Sequence, residues 1–154
     1  MKRLLCIPIL FLFGASAFAI EISESMLNSY VAQKLAEKRQ RDVHVLDPKI
    51  TLLDGYATIC AKVRAKVLAQ DIDFCANMTP AWRQETGSLL ATRMALVSLN
   101  APGISEKDVE LLKAIVNQAV LPRLEGTEVY KADDFIGKQI SALKVLPGRL
   151  DISL

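Results

Sequence analysis

Two neighbouring stretches of this chain alternate so strictly that they demand strands, and each carries one cysteine. From Tyr56 to Val67, one set of alternate positions holds Ala57, Ile59, Ala61, Val63, Ala65 and Val67. The other holds Tyr56, Thr58, Cys60, Lys62, Arg64 and Lys66. From Asp71 to Thr79 the same division separates Ile72, Phe74, Ala76 and Met78 from Asp71, Asp73, Cys75, Asn77 and Thr79. Period two, apolar on one side and polar on the other, is the signature of a half-buried antiparallel strand. Pairing Cys60 with Cys75 also sets Ala61 opposite Phe74 and Val63 opposite Ile72. A slip of one residue would turn one strand's apolar set to solvent. The cysteines are therefore expected to form a cross-strand disulfide. Closing a loop of about 15 residues is worth roughly 3 kcal/mol in the chain-entropy model. Its expected role is structural, because a redox pair of the C-x-x-C kind sits closely spaced at a helix start. The connecting loop, around Val67 to Ala69, has no Gly or Asn and is expected to be irregular.

The redox setting for that disulfide is read from residues 1–19. Lys2 and Arg3 precede an apolar run from Leu4 to Phe13, and Ala17-Phe18-Ala19 comes after it as an A-x-A site. This is the pattern of a secretory signal peptide cut after Ala19. The run is shorter than the roughly 20 residues a spanning helix needs. Cys6 lies inside it, and Ile20 rather than Cys follows the cut, so no lipid anchor is expected. Losing Lys2 and Arg3 from 19 basic residues leaves them equal in number to the 17 acidic ones. A neutral mature chain has no electrostatic reason to hold nucleic acid or an anionic membrane surface. Residues 20–154 are expected to form a single domain, and the expected location is the periplasm.

Elsewhere the pattern alternates between helix and strand. Ser23 caps a helix reaching about Arg39, with Leu27, Tyr30, Val31 and Leu35 on one face. Pro48 opens a short strand, Lys49 to Leu53, and Asp54-Gly55 turns it into the first alternating strand. Ser88 to Leu99 is apolar on both sides and suits a doubly covered strand. Ser105, with Asp108 three residues on, caps a helix running to about Leu121, which Pro122 ends or kinks. Its stripe of Val109, Leu112, Ile115, Val116, Ala119 and Val120 is broad and Leu111 adds to it, so this helix is expected to be the more buried of the two. Thr127 to Lys131 reads as a strand, Asp134 to about Leu143 as a short helix capped by Asp133, and Arg149 to Leu154 as a last strand after Pro147-Gly148. Strands grouped before helices indicate an α+β fold.

Chemistry-bearing patterns are sparse. His44 is the single histidine, without the companions of a zinc site. There is no G-x-S-x-G, Walker loop or H-E-x-x-H. Asp133-Asp134 reads as a cap plus a first-turn acid. No catalytic residue, metal or cofactor is expected, and the chain is not expected to be an enzyme. Trp82 stands out as the one tryptophan, placed either over one end of the core or at the mouth of an apolar site.

Three segments resemble the YceB-like bacterial envelope proteins: Ile22-Ser23-Glu24 before the first helix, Asn117-Gln118-Ala119-Val120 late in the second, and Lys144-Val145-Leu146-Pro147-Gly148 before the last strand. The domain of that family has no assigned function. The resemblance implies a fold similar to small tubular lipid-binding (TULIP-like) domains, in which a curved antiparallel sheet wraps a long helix. Here that helix would be Ser105 to Leu121, with an N-terminal helix and a short C-terminal helix beside it. Many relatives are lipoproteins, and Ile20 departs from that pattern.

Two functions are expected on these grounds. The first is a non-enzymatic periplasmic protein holding a lipid or other apolar ligand between sheet and long helix. Its contacts would be Phe74, Met78, Trp82, Met94, Leu96, Ile115, Val116 and Ala119. The alternative is a cell-envelope protein-interaction module with a solid core, no ligand, and an exposed patch or free sheet edge that takes an envelope protein.

Overall fold

A computed structural model describes residues 19–37, 43–65 and 71–154. The leader read from residues 1–19, Ala19 excepted, and the loop at Val67 to Ala69 lie outside the described residues. The chain forms β1 (Ala19–Ser23), α1 (Glu24–Glu37), β2 (Val43–Leu52), β3 (Ala57–Ala65), β4 (Ile72–Arg83) and β5 (Ser88–Asn100). After these come α2 (Glu106–Ile115), a π-helical turn (Val116–Val120), α3 (Leu121–Leu124), β6 (Glu128–Lys131), α4 (Asp134–Gly137), β7 (Ala142–Leu146) and β8 (Arg149–Ser153).

The strands make two antiparallel sheets. One has the order β2-β3-β4-β5-β6 and the other β1-β8-β7. The larger sheet curls, and the helices are short. Among the described residues no long helix is wrapped by a sheet, which corrects the tubular architecture expected from the resemblance.

The reason lies in α2. It buries no residue, while α1 buries Leu27 and Val31. Leu111 and Ile115 of the apolar stripe are 60 % and 46 % exposed. Among the described side chains of the stripe, Val109, Leu112 and, in the π-helical turn, Val116 pack inward, against Ile72, Leu99 and Ala101 with Leu96 and Ile104. A broad stripe thus meets the sheet along one narrow side. The helical run continues through the π-helical turn, where Leu121 N–H reaches Val116 C=O. That switch comes one residue before Pro122, whose missing N–H would otherwise break the ladder.

The main core lies elsewhere. Ile22, Leu27, Ile50, Leu52, Met78, Leu89, Val129, Ile140, Leu150 and Ile152 pack between α1 and the two sheets. The smaller sheet brings Ile22 from its β1 edge and Leu150 and Ile152 from its central strand, and α1 follows β1 directly. Ser23 Oγ accepts from Met26 N–H at 3.3 Å, as expected of the cap.

β3 and β4 pair in the expected register: Cys60 with Cys75, Ala61 with Phe74, and Val63 with Ile72. The disulfide closes at that position with a Cα–Cα distance of 4.1 Å. Along the outer face of the same pair run Thr58–Asn77, with a 2.7 Å hydrogen bond, and Lys62–Asp73 at 3.9 Å. Arg64 grips Asp71 through two bonds of 2.7 and 2.8 Å.

The curl comes from β5. Its ladder with β4 shifts twice, once at Val97 and once around Arg93, whose φ is +51°. Each bulge adds a residue and increases twist. At the shift itself Val97 is exposed rather than doubly covered, while Leu99 beyond it stays buried. β2 also bulges, at Asp47-Pro48. That lets the strand begin at Val43, well before the expected Lys49.

α1 closes the outer edge of β2 with side chains. Asn28 Oδ1 accepts from Ile50 N–H at 2.6 Å, and Asn28 Nδ2 donates to Ile50 C=O at 2.9 Å. Glu24 Oε2 accepts from Leu52 N–H at 2.8 Å. One amide thus copies the pairing of a neighbouring strand and blunts an edge that would otherwise be open.

Candidate functional site

The eight residues expected to line one apolar site are distributed over the molecule. Met78 is buried in the main core, and Trp82 and Met94 pack against that core. Leu96 and Val116 belong to the smaller cluster beneath α2. Ile115 is exposed, and Phe74 lies by the disulfide. Ala119 falls in the π-helical turn, with its side chain outside the described residues. Val109, Leu112 and Val116 occupy the space between α2 and the sheet that the ligand would need.

The concave surface lies at another place. A groove of about 340 Å³ is lined by Pro80, Ala81, Trp82 and Gln84 on one side and Ile140, Ser141, Ala142 and Leu143 on the other. It runs between the last part of β4 and the start of β7. Of the expected residues, only Trp82 reaches it.

Local chemistry fixes both walls. Gly87, at φ +63°, turns β4 into β5. A Cβ on Gly137 would stand 2.6 Å from Gly87 Cα, so two glycines are what let α4 lie on this turn. Ala132 N–H donates to Gly87 C=O at 3.0 Å. Trp82 Nε1 donates to Gly137 C=O at 3.0 Å, and Gln84 Nε2 donates to Lys138 C=O at 2.9 Å. The indole is thereby held against the core rather than free at a cavity mouth. α4 ends at Gly137, short of the expected Leu143, and its Phe135 is 78 % exposed beside a 40 % exposed Ile136. Asp133 occupies the N-cap position without making a side-chain cap bond.

β7 supplies the groove's distinctive feature. Pro147-Gly148 forms a two-residue turn, with Leu146 opposite Arg149, Val145 opposite Leu150 and Leu143 opposite Ile152. In such a hairpin, alternate pairs turn their N–H and C=O groups away from each other. Val145 does so, since its C=O accepts from Gly55 N–H at 3.1 Å. Leu143 is two residues away and faces the same direction. Among the described residues, nothing pairs with its N–H or C=O. The groove thus contains a short free strand edge.

A second polar cluster is structural in its geometry. Glu128 accepts from Tyr30 Oη at 2.5 Å and from Ser88 Oγ at 2.7 Å. Burial pushes the Glu128 carboxyl up; the two hydroxyls, with Lys131 and Lys34, outweigh this and hold it below the usual glutamate value. Ser88 is only 1 % exposed, which denies a substrate access to its hydroxyl. The cluster ties α1 to β5 and β6.

His44 is exposed on β2. Among the described residues, no three His, Cys, Asp or Glu side chains gather into a metal-binding group, and no helix is long and apolar enough to cross a membrane. The disulfide is compatible with an extracytoplasmic protein.

No family model and no curated protein sequence matches this chain.

Proposed function

We propose that this chain is a non-enzymatic interaction module of the cell envelope, acting in the periplasm, that takes an extended segment of an envelope protein along the free edge of β7. The observation that carries the reading is Leu143, whose backbone N–H and C=O face the groove without a partner among the described residues. A strand edge is satisfied by another strand, and β-augmentation uses main-chain bonds for affinity and flanking pockets for selection. Trp82, Pro80 and Gln84 stand on the opposite wall, where alternate side chains of an incoming segment would meet them. Phe135 and Ile136 of α4, the element that seats Trp82, are exposed apolar side chains. The paired cysteines and the leader pattern support an envelope location. A lipid is the less favoured occupant, because the helix–sheet interface it would need is filled by side chains of α2 and the π-helical turn.

The test is site-specific photocrosslinking in the native envelope, with the photoreactive residue placed at Ser141 in the groove or at Glu106 on the far helix. A protein adduct is expected from position 141 and not from 106. Leu143→Pro should abolish it while preserving the fold, because the lost N–H faces outward and serves no bond to β8. An adduct with lipid alone, or a protein adduct indifferent to Leu143→Pro, would overturn the proposal.

A further inference from the structure

The disulfide lies where a structural staple is least needed and most open to attack. β3 and β4 are interior strands of the five-stranded sheet, laddered on both sides. The Arg64–Asp71 and Thr58–Asn77 pairs already clasp their outer face. Both cysteines are on that outer face and half-buried rather than sealed. They line a second open groove, of about 260 Å³, together with Asp47, Lys49, Ala61, Lys62, Asp73 and Phe74.

The charges there are arranged unequally. Lys49 lies directly opposite Cys60 across the β2–β3 ladder, and Lys62 stands two residues on along the same face. Cys75 has Asp73 and Asn77 at the equivalent positions, with Ser98 opposite on β5. Lys62 is ion-paired with Asp73 across the β3–β4 ladder at 3.9 Å, so those two charges are shared by both sulfurs, and Asp47 adds a carboxylate on the β2 side of the groove. Lys49 is the ammonium that stands opposite Cys60, where Cys75 has the neutral Ser98. Nearby cations favour a thiolate, and exchange is faster when the departing sulfur is the better-stabilised anion.

We propose that Cys60–Cys75 is a thiol–disulfide exchange site, worked by a protein dithiol while the domain stays folded. The donor's thiolate attacks Cys75 Sγ, forming a mixed disulfide as the Cys60–Cys75 bond breaks. Cys60 leaves as a thiolate opposite Lys49. The donor's second thiol loses its proton to solvent and attacks the donor's own sulfur in the mixed disulfide, releasing Cys75 as a thiolate that is then protonated. Two electrons pass from the dithiol, now a disulfide, to the cysteine pair. The reverse sequence reoxidises the protein, and the remaining ladder holds the register for it.

The experiment uses the oxidised mature protein and dithiothreitol under native conditions. The reduction rate is expected to rise in proportion to dithiothreitol concentration. In the reduced protein at neutral pH, iodoacetamide should modify Cys60 before Cys75. The variant Lys49→Gln should slow reduction about twofold or more and abolish that order, with an unchanged urea midpoint in the oxidised form. A rate independent of dithiothreitol, set by unfolding, would overturn the proposal. So would faster modification of Cys75. The rate law of the unsubstituted protein decides the question even if the variant fails to fold.

Discussion

Single residues set the balance at several places, and Glu128 is the one whose charge matters. Its carboxylate is the shared acceptor for Tyr30 on α1 and Ser88 on β5. Because folding lowers its proton affinity, its ionised form favours the folded state. That contribution is present above the unfolded glutamate's titration range and is lost as pH falls through the lower folded value. The urea midpoint should therefore drop on acidification, and the drop should be shallower in Glu128→Gln; equal slopes would contradict this role. The cysteine pair is legible in the sequence because alternation and pairing constrain each other. The partner of Trp82 is not. Gly137 lies far along the chain, and a carbonyl acceptor leaves no mark on residue type.

At the level of elements, the tightest constraint is the seat of α4. Gly137 packs on Gly87 with no space for a methyl group, and the Trp82 bond depends on that approach. Gly137→Ala should cost about 1–3 kcal/mol, the usual range for overpacking. It should also shift Trp82 fluorescence, since the indole loses its acceptor. Unaltered urea unfolding and emission would show that the turn can yield. The elements themselves are unevenly legible in the sequence. β3, β4 and the cap at Ser105 are plain, because alternation and capping chemistry are local. β1 is hidden because Ile20 and Ile22 directly follow the stretch that reads as a leader, and β7 because Ala142–Leu146 comes after a helix start without a breaker. The alternation ends this strand at Thr79, whereas β4 carries on through Pro80 to Arg83. The free edge at Leu143 belongs to β7 and is invisible without it.

Over the whole molecule, two sheets and α1 share one core, and the run from α2 to α3 closes a smaller cluster at its side. The expectation of a wrapped helix fails for a physical reason. An apolar stripe shows which faces a helix is able to bury, and only packing decides which it does bury. α2 keeps Leu111 and Ile115 in solvent, while the less conspicuous α1 covers the core. The smaller sheet is the part least legible in the sequence, since only β8 of its three strands carries a clear alternation bounded by a turn. For function, the described residues show a packed main core and, at Leu143, a strand edge that none of them pairs with. That account is tested most directly by native mass spectrometry of the mature protein gently isolated from its own envelope. The predicted result is a complex with a polypeptide, carrying no lipid and lost in Leu143→Pro. A lipid of defined mass bound to the monomer, retained in Leu143→Pro, would contradict it.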